Sequence, residues 1–190
     1  MTTIVVVRKG DTAVIAADSL TTFGTTRLAP AYDRHPQKVT KYGDSWLGVA
    51  GSAAHQLVLE NLLSRTPNLD FHGKGAIYDS FRRLHPVLKD EAFLNPKEEE
   101  DDPYESSQMT VMIANPTGIF AVYSMREVFE FDRFWAIGSG RDFALGAMYV
   151  LYGSKAKSAG AIAQAGIEAG AEFDTGTSEP IDIHEVRLRG

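Results

Sequence analysis

The order of elements along this chain predicts an α+β fold: a four-layer αββα sandwich, two antiparallel sheets flanked by helix pairs. Three observations carry that reading. Short Val- and Ile-rich runs bounded by Gly, Asp and Asn turns recur as strand pairs. Two stretches of helical spacing stand between those strand blocks, and a last apolar run closes the chain. A chain of 190 residues suits one domain over 1–190 and buries on the order of 70% of its unfolded surface.

The elements follow in order. Thr3 to Arg8 and Thr12 to Ala17 read as an opening hairpin turned at Lys9-Gly10-Asp11. Thr21 to Gln37, with Gly24, Pro30 and Pro36, reads as an extended loop. Lys38 to Tyr42 and Trp46 to Ala50 form a second strand pair about Gly43-Asp44. Ser52 is placed to cap a helix reaching Arg65, and Lys74 to Leu94 predicts a second helix that Pro86 should kink or interrupt. Residues 95–107 hold Pro96, Pro103 and the acidic run Glu98 to Asp102, and are expected to be a mobile surface loop. Met109 to Ala114, Gly118 to Tyr123, Val128 to Phe131 and Phe134 to Ile137 supply the strands expected to form the second sheet. An Ala- and Gly-rich helix pair from Arg141 to about Gly170, its small residues suited to close packing, precedes a final strand from Ile181 to Leu188.

Composition excludes several classes. Hydrophobic residues make up 44% and charged residues 23%, and no apolar run approaches the roughly 20 residues of a membrane span. Absent a basic-then-apolar leader, the expected location is cytoplasmic. There are no cysteines, which removes disulfides and thiolate metal sites. His35, His55, His72, His85 and His184 show no His-Glu-x-x-His spacing, so no catalytic metal is expected. Net charge is −6, from 19 basic and 25 acidic residues, and the basic ones are scattered, which argues against a nucleic-acid partner. Gly138-Ser139-Gly140 is no dinucleotide fingerprint, and no Walker lysine follows a Gly-rich loop.

Thr2 stands out because it leads directly into the apolar run Ile4 to Val7. Removal of Met1 would leave a threonine holding both a hydroxyl nucleophile and a free α-amine. An α-amine has a reference pKa of roughly 7.7 to 8.0, so near neutral pH a useful fraction can take the hydroxyl proton.

Thr2-Thr3-Ile4-Val5, Ala16-Ala17-Asp18-Ser19, Lys38-Val39, Ala50-Gly51-Ser52-Ala53-Ala54 and Gly138-Ser139-Gly140 come in an order that resembles catalytic proteasome β-type subunits and the peptidase of the HslUV system. The resemblance implies the N-terminal nucleophile hydrolase fold, with Thr2 as nucleophile and no cofactor. It implies Lys38 beside the amine and hydroxyl, Asp18 orienting that lysine, the Gly51 N–H as oxyanion donor, and Ser139 near the terminal amine. An ammonium there disfavours protonation of the amine and stabilises a developing alkoxide. One oxyanion donor is worth roughly 3 to 4 kcal/mol of barrier. The family also supplies an Asp three residues before a Ser/Thr-Gly pair; counting back from Thr175-Gly176 lands on Glu172, with Asp174 competing in a shifted register.

By the same resemblance Thr21, Val49 and Ala53 line the specificity pocket, and three uncharged side chains predict apolar residues on the acyl side of the cleaved bond. The implied protein is a threonine-type endopeptidase in two stacked six- or seven-membered rings of identical subunits. It would act on unfolded polypeptides, with an ATP-dependent unfoldase as a possible partner. Two alternatives stay open: a non-catalytic ring or scaffold subunit, and an N-terminal nucleophile amidohydrolase acting on small amides.

Overall fold

The computed structural model describes residues 1–97 and 99–189; Glu98, one member of the acidic run, and Gly190 lie outside the described residues. The opening hairpin is β1 (Thr3–Lys9) and β2 (Thr12–Ala17). Where a bare loop was expected, β3 (Thr21–Phe23) and β4 (Thr26–Leu28) form a small ribbon of their own, followed by a 3-10 turn at Pro30–Tyr32. Three-residue strands carry too little apolar pattern to be read from sequence.

Then come β5 (Val39–Tyr42), β6 (Ser45–Ala50), α1 (Ala53–Arg65), α2 (Lys74–Asp90), β7 (Thr110–Asn115), β8 (Gly118–Val122), β9 (Val128–Phe131), β10 (Phe134–Gly138), α3 (Arg141–Tyr152), α4 (Ala159–Phe173) and β11 (Asp182–Arg187). Helix α2 runs through Pro86 uninterrupted and stops at Asp90, short of the expected Leu94. Its buried face, including Ile77, Phe81, Leu84 and Leu88, packs into the core on both sides of the proline, and that burial offsets the lost backbone bond.

Two antiparallel sheets result, ordered β10-β1-β2-β11 and β5-β6-β7-β8-β9. The expected partition of strands needs correcting: Phe134 to Ile137 joins the first sheet, with Ala136 opposite Val5 and Ile137 opposite Ile4, while β5 and β6 extend the second. Alternation along β10 suits either sheet. Its place is fixed by non-local contacts: Phe134 and Ala136 join the cluster under α3 and α4, and Ile137 joins the cluster between the sheets.

Three apolar layers hold the sandwich. Leu47, Val111, Ile113 and Phe120 of the five-stranded sheet pack under α1 and α2. Ile4, Val6 and Ile15 meet Met112, Ala114, Ile119 and Ala121 between the sheets. Val5, Val7, Val14 and Ala16 point the other way, onto Ala144, Met148, Ile162, Ala163 and Ile167 of α3 and α4. Strand β1 is therefore covered on both faces, which explains its unbroken apolar run. The small residues of α4 let it approach closely: a Cβ on Gly166 would stand 3.0 Å from Met148 Cγ, and one on Gly170 would stand 3.4 Å from the side chains of Thr3 and Thr177.

The described residues of 95–107 form no helix or strand. Gln108 Nε2 donates to the carbonyls of Asn95 and Lys97, and the Glu105 carboxylate meets His85 Nε2 and Lys89 Nζ of α2. No helix among the described residues is long and apolar enough to cross a membrane.

Candidate active site

Thr2 immediately precedes β1, at the end of a central strand of the first sheet. Residue 2 is anchored by its carbonyl, which accepts the Ser139 N–H at 2.8 Å just past the end of β10. Gly138, at φ 93°, makes that approach possible, because a Cβ there would collide with the Thr2 carbonyl. Thr2 Oγ1 donates to the Met1 carbonyl at 2.7 Å, and Lys38 Nζ donates to the same oxygen at 3.3 Å. Hydroxyl and ammonium thus converge on one carbonyl oxygen.

Lys38 is buried and gives its other two protons to Asp18 Oδ1 at 2.8 Å and to the Leu20 carbonyl at 2.6 Å. Three acceptors and no competing donor suit the charged form. Burial nonetheless pushes the ammonium below its ordinary 10.5, against the attraction of Asp18. Asp18, fully buried at the end of β2, is saturated: Oδ1 accepts the Thr3 N–H at 2.8 Å as well as Lys38, and Oδ2 accepts the N–H groups of Leu20 at 3.0 Å and Ser178 at 3.4 Å.

On the other flank of β1 runs a chain of hydroxyls. Ser139 Oγ and Thr177 Oγ1 each donate to Asp174 Oδ2 at 2.6 Å. Because the Thr177 proton goes to the carboxylate, the 2.6 Å contact between Thr177 Oγ1 and Thr3 Oγ1 has Thr3 as donor; Thr3 Oγ1 in turn accepts the Gly140 N–H at 3.1 Å. Burial alone would raise the Asp174 carboxyl, but the bonds from Ser139, Thr177 and the Gly176 N–H outweigh it and hold it below its ordinary value. Glu172 lies exposed on α4, while Asp174, at the C-cap, is the carboxylate beside Ser139. The shifted register is the one the geometry adopts, because α4 ends at Phe173 and the chain must leave the helix before it can turn toward β1.

Gly51 is the turn between β6 and α1. Its φ is 157°, and a Cβ would stand 2.9 Å from His55 Nδ1 and 3.2 Å from the Gln108 carbonyl. Ser52 caps α1 in a reciprocal box with His55, whose Nδ1 accepts the Ser52 N–H at 3.1 Å. Burial holds the His55 imidazole below its ordinary 6.5. Neither His55 nor Thr177 was selected from the sequence; the spacing Ser52-x-x-His55, that of a capping box, was the available sign for the first.

A cavity of about 850 Å³ opens beside Thr2. Thr21, Val49 and Ala53 line it, together with Lys38 and Gly51. Asp33, His35 and Glu60 also line it, so the wall is not free of charge. Glu60 Oε1 is held by Thr40 Oγ1 at 2.6 Å and Gln56 Nε2 at 3.1 Å. Among the described residues no three His, Asp or Glu side chains gather as a metal ion would need.

Comparison with known proteins places this geometry. No family model matches the chain. Two structures of the bacterial proteasome homologue BPH of Thiobacillus denitrificans, one of them a complex with epoxomicin, align with TM-scores of 0.93 at 36% and 35% identity. The alignments cover 98% and 99% of this chain and 98% and 100% of those. Eukaryotic HslV from Trypanosoma brucei, at 22% identity, shares the fold with a TM-score of 0.73 over 97% of this chain and 99% of its own. An αββα sandwich matched over nearly its whole length at more than a third identity has the N-terminal nucleophile hydrolase fold, and the chain belongs to the proteasome β-type, HslV-like family.

Proposed function

We propose that the chain is a threonine-type endopeptidase subunit of a self-compartmentalised ring protease, cleaving peptide bonds through an acyl-enzyme on Thr2 after Met1 is removed. The observation that carries this reading is the convergence of Thr2 Oγ1 and Lys38 Nζ on one carbonyl oxygen, with Asp18 buried behind the lysine. While Met1 is attached, the Thr2 nitrogen is an amide with no basic lone pair. Once freed, the amine takes the Thr2 hydroxyl proton, directly or through one water, and the oxygen attacks the substrate carbonyl.

Lys38 stabilises charge on the attacking oxygen, and the Gly51 N–H donates to the oxyanion of the tetrahedral intermediate. Its collapse forms the ester to Thr2 and breaks the peptide bond, the amine's proton going to the leaving nitrogen. A water molecule, deprotonated by the same amine, then hydrolyses the ester and restores Thr2. Ser139, oriented by Asp174, is the group assigned to the amine's proton traffic. No cofactor enters any step.

Intact-protein mass measurement before and after an epoxyketone tests the reading directly, since the reagent needs a hydroxyl and an amine on one residue. The expected result is loss of Met1 and gain of one adduct per chain, with the trimming kept and the adduct absent in Thr2→Ala; a trimmed protein that never gains the adduct overturns it. That the BPH of Thiobacillus denitrificans is found with epoxomicin favours this outcome. A scaffold subunit would take no adduct, and an amidohydrolase would leave casein intact while cleaving small amides.

Assembly into two stacked rings of six or seven subunits, feeding by an ATP-dependent unfoldase, unfolded polypeptide substrates and a cytoplasmic location complete the proposal, drawn from the family. For the pocket, Thr21, Val49 and Ala53 select apolar residues. Asp33 and Glu60 in the same cavity make the opposite demand and favour a basic one. Rates on fluorogenic peptides ending in Leu or Arg decide which walls the residue meets.

A further inference from the structure

Gly51 is the residue assigned above to donate its N–H to the oxyanion, yet its own torsions cannot hold that group still. Glycine spans broad φ/ψ space, and here the chain is also leaving β6 for α1. Its orientation is imposed by neighbours. A Cβ on Gly51 would stand 2.9 Å from His55 Nδ1, 3.2 Å from the Gln108 carbonyl and 3.5 Å from Met109 Cα, so the imidazole and the approach to β7 close on the glycine. The Ser52 N–H, which belongs to the next peptide unit and so reports the ψ of Gly51, donates to the same Nδ1 at 3.1 Å. The ring is itself fixed. His55 is buried, its backbone N–H donates to the Ser52 carbonyl at 2.9 Å, and Ser52 Oγ accepts the Ala54 N–H at 3.4 Å.

We infer that His55, as the neutral tautomer with Nδ1 bare and the proton on Nε2, is a positioning residue that holds the Gly51 N–H in line for the oxyanion. The inference rests on the role given to Gly51 above. Protonation of Nδ1 would set donor against donor at the Ser52 N–H and leave a cation that no carboxylate approaches to ion-pair distance among the described residues. The Ser52 N–H meets the ring at Nδ1, and the Gln108 carbonyl and Met109 Cα close on Gly51 beside it. No charged group shifts its titration; burial does so alone. Turnover therefore requires two deprotonated groups, the Thr2 amine and His55, so the acid limb of kcat is steeper than one proton.

The test compares wild type with His55→Ala and His55→Asn, using a fluorogenic peptide across pH 5 to 8. Asn keeps an acceptor for the Ser52 N–H and does not titrate. His55→Ala is expected to lose on the order of 10- to 100-fold in kcat with KM nearly unchanged, a fraction of what deleting an oxyanion donor costs. His55→Asn is expected to recover kcat to within a few-fold and to show a one-proton acid limb. Wild-type kcat in His55→Ala, a loss confined to KM, or an unchanged steep limb in His55→Asn would overturn the inference.

Crystal structures of the variants read it without any activity, Asn serving where Ala does not fold. The Ala50–Gly51 peptide, which carries the Gly51 N–H, should be rotated along with the Gly51–Ser52 peptide in His55→Ala, and both retained in His55→Asn; an unmoved Ala50–Gly51 peptide in Ala or a rotated one in Asn overturns the inference. A wild type that cleaves nothing and takes no epoxyketone, beside a rotated peptide in His55→Ala, would sink the peptidase reading and leave the positioning role standing.

Discussion

The two sides of Thr2 are built on different principles. On the sheet side, Asp18, Lys38, Thr3, Ser139, Thr177 and Asp174 exchange hydrogen bonds with one another and with strand backbone. Asp18, Thr3 and Ser139 are placed by the register of β1 against β2 and β10, Asp174 and Thr177 by the end of α4 pressed on Thr3, and Lys38 by the start of β5 in the facing sheet. On the cavity side, Gly51, Ala53 and Glu60 hang from one turn, Gly51-Ser52, and the first turns of α1, with Thr21 and the segment holding Asp33 and His35 closing the opposite wall. A sheet register cannot shift without moving every side chain to the wrong face. A helix N-terminus can be re-aimed by one bond. Nucleophile activation is therefore expected to be rigid and all-or-none, and oxyanion geometry and specificity to be tunable.

Asp18→Ala is the largest test of that contrast. It strands the Lys38 ammonium in the interior, and removing one partner of a buried pair costs about 3 to 5 kcal/mol. Chemical denaturation should show that loss together with abolished hydrolysis. Glu60→Gln, on the cavity side, should stay within about 0.5 kcal/mol and alter only the ratio of Arg to Leu peptide cleavage. Equal destabilisation by the two would end the distinction.

Gly138→Ala comes next. Its φ of 93° disfavours an L side chain, and the new methyl collides with the Thr2 carbonyl, for a cost of about 1 to 3 kcal/mol. Epoxyketone labelling should slow more than stability falls, because the displaced residue is the one proposed as nucleophile. A variant that labels at the wild-type rate would mean that the sheet side yields as readily as the turn.

A finer comparison sets Asp174→Asn against Glu172→Gln. The first weakens two charge-assisted bonds and should cost about 1 to 3 kcal/mol; the second touches an exposed helix position and should be neutral within about 0.5 kcal/mol. The sign with pH follows from the lowered Asp174 carboxyl: its contribution is present above the ordinary value near 3.8 and is lost as pH falls through the lower folded value. Denaturation midpoints between pH 2 and 5 should fall less steeply in Asp174→Asn than in wild type.

The same contrast explains what could be read from the sequence. Layer order and most elements were legible because β1, β2 and α4 carry long, consistent patterns. The sheet that β10 joins was not, since its alternation is satisfied on either sheet and only contacts distant in sequence choose. Asp18, Lys38 and Gly51 lie in short runs of fixed spacing and were visible by resemblance. Thr177 and the choice of Asp174 over Glu172 depend on where α4 stops, a boundary that local pattern sets only to within a few residues. Glu60 was hidden because it stands seven residues along α1 from Ala53, two turns deeper on the helix face that lines the cavity.

The smallest expected effect separates two histidines. His55 and His85 are both held below their ordinary 6.5, His55 by burial and His85 by burial with the cations Arg126 and Lys89, partly offset by Glu105. A lowered imidazole means that the folded chain binds fewer protons than the unfolded one, so each contribution is complete above about pH 6.5 and is lost as pH falls below it. His55 answers to the turn beside Thr2, whereas His85 joins α2 to the segment at Glu105 and has a buried Nδ1 without a partner among the described residues. His55→Asn should flatten part of the stability decline between pH 6.5 and 5 and remove the extra proton from the acid limb of kcat. His85→Asn should flatten another part and leave that limb unchanged, because its ring bonds Glu105 and not the Gly51-Ser52 turn itself. If both variants change the kcat limb alike, the turn at Gly51 is not the adjustable element, and acid acts on the fold as a whole.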